Sequence, residues 1–518
     1  MRARLLAGIL LSCAVVVSGQ TNSPIPAPAA GPGPRLMTVQ ECIDAALRQN
    51  LDLQIEHLEN AMAGYDLRAS YGPYDPTFSF SATHGFESAP LDVDFRKFNP
   101  YYPYQLDSDT LGPSLGGNLP IGLSYQFSVR STANFGRTDF RSTPGDAAMF
   151  PGGIRDTSSY FGNVGVTFKQ HLLKDSWIDA YRETILIRRK DLKISEQALR
   201  FQIMKTVLAV ELSFYDLQAS LELIRVQEKA LELRRQFLAE TQRRVQVGDL
   251  APLDAEQAET ELQNTLTALA AARELYVSRE NALKSLFTDN FRQWAEVDLQ
   301  PAGALLALKA DLNRQQSFQH AVENRPDLAE ARLAVEKSAV TVRFQKNQLF
   351  PSVDLVGNLG SVSYTADLST SISDAFHLVH PDYYYGVVLS FPLSNVAERN
   401  RYHASQAAKQ IAELQLKKAE QAILVEVADA INQVQSRFAQ VDSTRQARSY
   451  AEAALLAEEK KLQNGLTTTF IVLQMQEILT AARTAEAQAL VDYNKALAQL
   501  AFAEGSTMEK QHLKLQPK

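Results

Sequence analysis

The sequence predicts a mainly α-helical fold with membrane-type β-strands, built as a tandem repeat with one long coiled-coil hairpin in each half. Three observations lead to this prediction. Two long runs, from Ile178 to Val247 and from Val396 to Asn464, contain neither Gly nor Pro. Several short segments alternate apolar and polar residues, as strands do. The same succession of segments occurs in both halves of the chain.

The first long run predicts a rod, because ~70 residues at ~1.5 Å each give ~105 Å of helix. One apolar stripe steps by four and three residues, as a coiled-coil seam does: Ile203, Val207, Val210, Phe214, Leu217, Leu221 and Ile224. A second stripe lies about 100° further around the helix: Leu208, Leu212, Tyr215, Ala219, Leu223, Val226, Ala230, Leu233 and Phe237. Two stripes need two neighbours. Helices closed into a cylinder provide them, and so does a buried position in a soluble bundle.

The N-terminus predicts an exported protein. Residues 1–19 have the features of a signal peptide, with Arg2 and Arg4 before an apolar segment and a small-residue cleavage site. A lipoprotein modified at Cys13 is the alternative. Residues 20–37 are rich in Pro and Ala and predict an extended leader. No apolar run of about 18 residues follows, so the mature chain is either soluble or crosses a membrane as strands.

Composition and motifs narrow the functional classes. The net charge of −7 argues against a nucleic-acid partner. Cys13 and Cys42 are the only cysteines, too few for a disulfide framework or a metal site of their own. The sequence has no motif for an activated serine, a phosphate-binding loop or a zinc centre, and its histidines are scattered. We therefore predict that the protein is not an enzyme and has no metal or cofactor site.

The first half predicts helices, then strands, then the long hairpin. Thr38 and Glu41 form a capping box, and the helix that follows is interrupted near Asn50 and ends at about Ser70. Four strands are predicted at about residues 77–83, 110–122, 123–130 and 164–168, with polar loops at about 87–108 and 134–157. The long helix ends at Gly248. A helix over about 253–287 and a mixed segment over 288–313 complete this half.

The second half repeats this order. Ala46-Leu47 and Pro76-Thr77 return 275 positions later as Ala321-Val322 and Pro351-Ser352. A strand at about 351–364, a loop and a strand ending at Phe391 precede the second long run, which Gly465 ends before a helix over about 470–504. The shared order defines two structural repeats, 38–313 and 314–505, and a tail, 506–518.

Several segments on both repeats resemble TolC-type outer-membrane efflux proteins. The first repeat of the family is similar to the segment that begins TVQECIDAALRQN and ends YGPYDPTFSF, and the second to HAVENRPDLAEARLAVEK. The family's hairpin tips resemble RRVQVGDLAPLDAEQAETEL and KKLQNGLTTTFIVLQMQEIL. Its strand-to-helix junctions resemble FKQHLLKD and SFPLSN, although His171 replaces a proline in the first. The resemblance covers about residues 37–505.

This resemblance implies a homotrimer in which an outer-membrane β-barrel continues into a periplasmic α-helical tunnel. The implied function is a passive exit duct of a tripartite efflux or type I secretion system. Its partners would be outer-membrane lipid, a periplasmic adaptor protein and an inner-membrane transporter. The alternative function is that of a soluble or surface-associated periplasmic coiled-coil structural protein.

The number of barrel strands is a separate question. Six strands cannot close a barrel alone, and an open sheet edge in lipid leaves backbone groups without hydrogen bonds. If all six predicted strands span the membrane, a trimer has 18 strands rather than the 12 of the family's simplest members. If residues 110–133 instead form a hairpin outside the membrane, 12 strands remain.

The two hairpin tips are the predicted functional sites. Gly248 and Gly465 should adopt the left-handed conformation that ends a helix. The resemblance implies that the adaptor contacts these turns, which comprise Gly248, Asp249, Leu250, Gly465, Leu466 and Thr467. Both turns look poor in large apolar residues, which predicts a modest interface. Arg244 and Lys461, just inside the tips, are the residues whose charge reversal should weaken it.

The periplasmic gate departs from the family. In the best-known pattern, two aspartates lie six and nine residues after the second tip glycine and surround the closed mouth. Here these positions are Ile471 and Gln474, so a trimer would present six neutral groups. We expect a hydrophobic and amide-lined constriction without a strong site for multivalent cations.

One aspartate of the family pattern is kept at the gate. Asp254 lies six residues after the first tip glycine, whereas its usual tyrosine and arginine partners are replaced by Leu462 and Thr467. A hydroxyl of Thr467 or Thr468 could bind Asp254 only weakly, since a neutral hydrogen bond contributes about 0.5–1.5 kcal/mol. Alternatively, Asp254 only caps the helix that returns from the tip.

Overall fold

The computed structural model describes residues 35–88, 105–139, 154–303 and 305–511. The predicted signal peptide with Cys13, most of the predicted leader, the middle of both predicted long loops and the end of the tail lie outside these residues. Among the described residues, no helix is both long enough and apolar enough to cross a membrane.

The first repeat passes from two short helices through four strands to a long helical hairpin. Its elements are β1 Arg35–Met37, α1 Val39–Gln49, α2 Leu51–Ala69, β2 Thr77–Ser88, β3 Gln105–Leu119, β4 Leu123–Asp139, β5 Ile154–His171, α3 Ala180–Gln246, α4 Pro252–Phe287, α5 Phe291–Trp294 and β6 Leu299–Pro301.

The second repeat has the same order with fewer strands. Its elements are α6 Arg314–Asn324, α7 Pro326–Gln348, β7 Ser352–Thr365, α8 Leu368–Phe376, β8 Pro381–Ser390, α9 Val396–Gln463, α10 Thr469–Ala503 and α11 Thr507–Lys510. The two predicted long helices and the two helices that return from the tips are confirmed.

Local hydrogen bonds explain where the first helices begin and end. The predicted capping box is present, because the Thr38 N–H donates to the Glu41 carboxylate at 2.8 Å and the Glu41 N–H to the Thr38 hydroxyl at 3.2 Å. The predicted interruption is also confirmed. Asn50 has extended backbone angles, and its side chain accepts from the Leu53 N–H at 3.0 Å, so it ends α1 and caps α2.

Three features differ from the sequence prediction. Arg35–Met37, assigned to the leader, forms β1 and pairs in parallel with β6. Strands β3, β4 and β5 extend into the predicted polar loops. The predicted loop between the last two strands contains α8, which Asp367 caps by accepting from the Thr370 N–H at 3.0 Å. Strand β1 and helix α8 are too short to show a periodicity from which they could be predicted.

Within the described chain, six strands form one antiparallel sheet in the order β2-β3-β4-β5-β7-β8. Two adjacent rows of residues across all six strands illustrate its faces. One row consists of Phe78, Leu115, Phe127, Val166, Leu359 and Tyr383, and its neighbour of Ser79, Ser114, Ser128, Gly165, Gly360 and Asp382. Successive residues point to opposite faces, so the sheet has an apolar face, to which the first row belongs, and a polar face, to which the second belongs.

The apolar face is exposed in the single chain. Phe78 and Tyr383 keep 68% and 67% of their surface accessible, and the other residues of the row keep between 38% and 62%. A soluble sheet would bury such a face against a second layer. An exposed apolar face opposite a small, polar one is what a membrane-spanning sheet requires.

The helical hairpin of each repeat has its own core. In the first repeat, Ile203 to Leu217 of the first predicted stripe pack with residues of α1 and α4 such as Ile43 and Leu283. In the second repeat, α9 and α10 pack through residues such as Val427 and Tyr493. Most of the second stripe of α3, for example Leu212 and Leu223, is only half-buried. It therefore leaves apolar surface available along the helix.

Candidate functional site

The two hairpin tips have the same backbone geometry. Gly248 and Gly465 have φ values of 81° and 65°, the left-handed conformation predicted for them. At the first tip, Gly248 N–H donates to the Val245 carbonyl at 3.1 Å and Asp249 N–H to the Arg244 carbonyl at 2.9 Å. The second tip repeats both bonds with Gly465 and Leu466 as donors. Each long helix thus ends in a Schellman motif, which satisfies its last carbonyl groups.

Both turns carry more apolar surface than the sequence analysis predicted. Val247 and Leu466 are 75% and 76% exposed, and Leu253 and Phe470, which begin the returning helices, are 61% and 62% exposed. The prediction of turns poor in apolar surface is therefore wrong, because Leu466 of the second turn is exposed and the apolar residues that flank both turns were not counted. Asp249 and Gly465 are exposed, as an interface residue should be, while Leu250 and Thr467 are partly covered.

Arg244 joins the two tips. Its guanidinium donates to the Asp249 carboxylate of its own turn at 2.8 Å and to the Leu462 carbonyl of the other hairpin at 3.3 Å. The side chain is only 19% exposed. Arg244 therefore stabilises the relative position of the hairpins, a role that sequence analysis missed because it depends on how they pack.

Lys461 is the more accessible of the two tip cations. Its side chain is 53% exposed and pairs with Glu458, one helical turn earlier, at 2.7 Å. The hydrogen bond from Lys461, together with one from the Thr467 hydroxyl, lowers the pKa of Glu458. Thr467 thus contacts Glu458 on its own hairpin.

Asp254 has both of the roles considered for it. One carboxylate oxygen accepts from the Ala251 N–H at 3.1 Å, at the start of α4. The other accepts from the hydroxyl of Thr469, at the start of α10 in the second hairpin. The predicted partners Thr467 and Thr468 are therefore wrong by one or two positions. Thr469 is 2% exposed, so this bond is largely shielded from solvent.

The remaining gate residues separate into two groups. Leu462 is 9% exposed and packs with Leu455, Val472 and Leu479 inside the second hairpin. Its side chain belongs to the core, and its contribution to the contact between the tips is its carbonyl group. Ile471 is partly exposed and Gln474 is exposed. Both are accessible enough to line an opening.

Gln474 lies in a cleft of about 450 Å³ between α4 and α10. The lining combines apolar and acidic side chains: Leu253, Glu256, Gln257, Thr260, Glu261, Phe470, Leu473, Gln474 and Glu477. Sequence analysis missed the three carboxylates, because each looks like an ordinary solvated charge on its own helix. The expectation of a hydrophobic and amide-lined constriction concerns Ile471 and Gln474 and stays a prediction, whereas the cleft beside them is partly acidic.

A buried arginine compensates part of this acidity. Arg234 of α3 is 6% exposed and lies 3.4 Å from the Glu261 carboxylate. Burial lowers the pKa of Arg234, while the facing charges of Glu261 and Glu477 oppose that shift. A guanidinium retains its proton even when buried, so Arg234 offsets one of the three negative charges.

Comparison with known proteins assigns the fold and the family. The sequence profile described as "Outer membrane efflux protein" matches residues 42–287 and 318–506. No curated protein matches the chain. Among solved structures, the outer membrane protein VceC from Vibrio cholerae is 17% identical, covers 90% of this chain and 96% of its own, and superposes with a TM-score of 0.64.

Two further structures share this architecture. The CmeC outer membrane channel of Campylobacter jejuni is 15% identical, with 90% of this chain and 86% of that chain covered and a TM-score of 0.64. The open state of the MtrE outer membrane channel of Neisseria gonorrhoeae is 16% identical, with coverages of 91% and 89% and a TM-score of 0.62. These structures establish the fold, and the profile match over both repeats establishes the family. The chain belongs to the outer membrane efflux protein family.

Proposed function

We propose that this protein is the passive exit duct of a tripartite efflux or type I secretion system. In this proposal, three copies form the duct, a periplasmic adaptor protein docks on its hairpin tips, and an inner-membrane transporter supplies the energy. The sheet carries the proposal. Its apolar row continues across six strands, and in the described chain its outer strands, β2 and β8, pair on one side only. Such edges in lipid require neighbouring subunits.

The competing function, a soluble periplasmic coiled-coil protein, makes a different prediction. We expect the protein in the outer-membrane fraction as a trimer whose electrophoretic mobility changes on heating, because closed membrane barrels resist detergent until they are unfolded. Membrane fractionation followed by electrophoresis of heated and unheated samples measures both properties. A monomer that is soluble without detergent would refute the duct.

We propose that the adaptor contacts the exposed apolar residues of the tips, with Gly248, Asp249, Leu250, Gly465, Leu466 and Thr467 forming the turns. Val247, Leu466 and Phe470 provide apolar surface that a partner would bury. The charged residues around them, Lys461 among them, would then form the rim of the interface. Rim charges contribute little affinity individually but affect partner selection and association.

We predict that Lys461→Glu lowers crosslinking between the second tip and the adaptor about 1.4- to fivefold, since an exposed ion pair contributes roughly 0.2–1 kcal/mol. A photo-crosslinker at Leu466 reports the contact in intact cells. Lys418→Glu is the matched control, because Lys418 is an exposed lysine far from the tip on the same helix. Arg244 is a poorer choice, since its reversal also breaks the bond to the Leu462 carbonyl. Unchanged crosslinking in Lys461→Glu, with trimers intact, would contradict this contact.

We also propose that the Asp254–Thr469 bond and the Arg244–Leu462 bond hold the gate closed. Both join the first hairpin to the second at the level of the tips. Opening the mouth requires the hairpins to separate, which would break these bonds. Because the acceptor in the Asp254–Thr469 bond is a carboxylate, this bond is worth about 1.5–3 kcal/mol rather than the neutral-bond value expected from the sequence, so a small number of such contacts can determine the resting state.

A further inference from the structure

The short helix α8 has an unusual distribution of side chains. Its buried residues are small: Ser371 and Ala375 are 0% and 1% exposed. Its large apolar residues, Leu368, Ile372 and Phe376, are 42%, 40% and 54% exposed. They lie at intervals of four residues and so occupy one edge of the helix. Leu378 and Val379, which follow the helix, are also about half exposed.

This helix packs against the apolar face of the sheet. Gly162 of β5 is on the same face as Val164 and Val166, since alternate residues share a face. A Cβ atom at Gly162 would lie 2.7 Å from the Ser371 carbonyl oxygen, so only glycine permits this approach. The Ser371 hydroxyl also donates to the Tyr160 carbonyl at 3.4 Å.

The sheet is shaped to accept the helix at this position. Ser361 and Ser363 of β7 share the face with Leu359 but are 0% and 2% exposed. The apolar row described above instead carries large, exposed residues on this face, such as Phe127 and Leu359. Small side chains under α8 make room for the helix. The helix then presents its own Leu368, Ile372 and Phe376 beside the apolar rows.

We propose that α8 lies at the lipid surface of the outer leaflet, with the edge formed by Leu368, Ile372 and Phe376 in contact with hydrocarbon. The height of α8 along the strands supports this location. Gly162 is four residues, or ~13 Å along the strand, from Val166 in the apolar row, within an apolar band about 25 Å tall. The helix contacts β5 and β7, which are interior strands of the sheet. A neighbouring protomer would pair instead at the edge strands, β2 or β8.

The polar residues of α8 fit the same arrangement. Thr370 and Asp374 lie about 160° around the helix from Ile372, on a polar arc that Ser373 and Ser369 extend toward Phe376. This arc would face lipid headgroups and water. A helix with one apolar edge and one polar arc is suited to the membrane interface. The proposal rests on the proposed membrane-spanning trimer and adds a lipid contact that the strands alone do not provide.

Spin-label accessibility tests this proposal. We expect a label at Phe376→Cys, in trimers reconstituted into phospholipid bilayers, to collide more often with oxygen than with a water-soluble nickel chelate. The label at Thr370→Cys, which is exposed and about 160° around the same helix from Ile372, should show the opposite preference. Cys42 is buried and should not react, and Cys13 lies in the predicted signal peptide.

A third label, at Val166→Cys, separates failure of this proposal from failure of the proposed function. Val166 is on the apolar face and 40% exposed, so it should be accessible to oxygen whenever the sheet spans the bilayer. A lipid signal at Val166 with a nickel-accessible label at Phe376 would place α8 in water and overturn the proposal. A label at Phe376 protected from both reagents would assign the contact to protein and overturn it as well. A water signal at Val166 would contradict the membrane-spanning sheet itself.

Discussion

Spin labels at Val166→Cys in the three protomers of the trimer should lie about 31 Å from one another, the separation expected for a barrel of 18 strands. Six strands per protomer would give an 18-stranded wall. With strands ~4.8 Å apart and tilted by ~40°, its radius is about 18 Å and the Val166 residues are about 31 Å apart. A 12-stranded wall has a radius of about 12 Å and a separation of about 21 Å by the same geometry.

The register of the sheet is the reason for expecting the larger value. Hairpin β3–β4 pairs with β2 on one side and β5 on the other, so it is inside the sheet rather than attached to its margin. Leu115 and Phe127 of this hairpin continue the apolar row between Phe78 and Val166. A hairpin outside the membrane would not require apolar residues in line with those of the membrane-facing row. Of the two alternatives that the sequence left open, these observations support 18 strands.

Excision of residues 105–139 provides the matched comparison. It removes the hairpin and leaves β2 able to pair with β5, and Phe78 and Val166 would still share the apolar face. Double electron–electron resonance should then give a distance shorter by about 10 Å. Equal distances in the full chain and the excised chain would place the hairpin outside the wall. If the excised chain does not assemble, the full chain alone decides, because about 21 Å would contradict the wide barrel.

Most elements of the fold were predictable because they are long or strongly periodic. Helices α3 and α9 follow from runs without Gly or Pro, and the strands from alternation over many residues. Strands β1 and β6 could not be predicted in this way. Each has three residues, and Arg35 pairs with Leu299 across most of the first repeat. Nothing in so short a segment indicates its partner.

The tips show where sequence reasoning stops for the site. The ability of glycine to adopt the left-handed conformation predicted how both long helices end. The partner of Asp254 was misplaced, because Thr469, the first residue of α10, faces Asp254, whereas Thr467 precedes the helix and bonds to Glu458. The link from Arg244 to the Leu462 carbonyl, and the meeting of Glu256 with Glu477 in one cleft, depend on the packing of two hairpins. Packing of this kind is not encoded in either hairpin alone.

The distribution of charge around Ile471 and Gln474 leads to a prediction about block of the channel by a trivalent cation. We expect the conductance of the unmodified channel in planar bilayers to be nearly insensitive to hexamminecobalt added on the periplasmic side. Ile471 and Gln474 place neutral groups at the exposed start of α10, and Arg234 offsets part of the acidity of the adjacent cleft. A trivalent cation binds strongly only where several carboxylates converge. The three carboxylates of each cleft belong to one protomer, and we expect them to lie beside the mouth rather than to form a ring around it.

Replacing both neutral residues should create the block. In Ile471→Asp with Gln474→Asp, three protomers present six additional carboxylates around the mouth. We expect the half-blocking concentration to fall by more than about tenfold, since each 1.4 kcal/mol of added attraction is a factor of ten. Ile471→Asn with Gln474→Asn is the control for size and polarity without charge. Strong block of the unmodified channel, lost in Glu256→Gln or Glu477→Gln, would instead assign the constriction to the acidic cleft. The neutral residues would then lie beside the gate rather than in it.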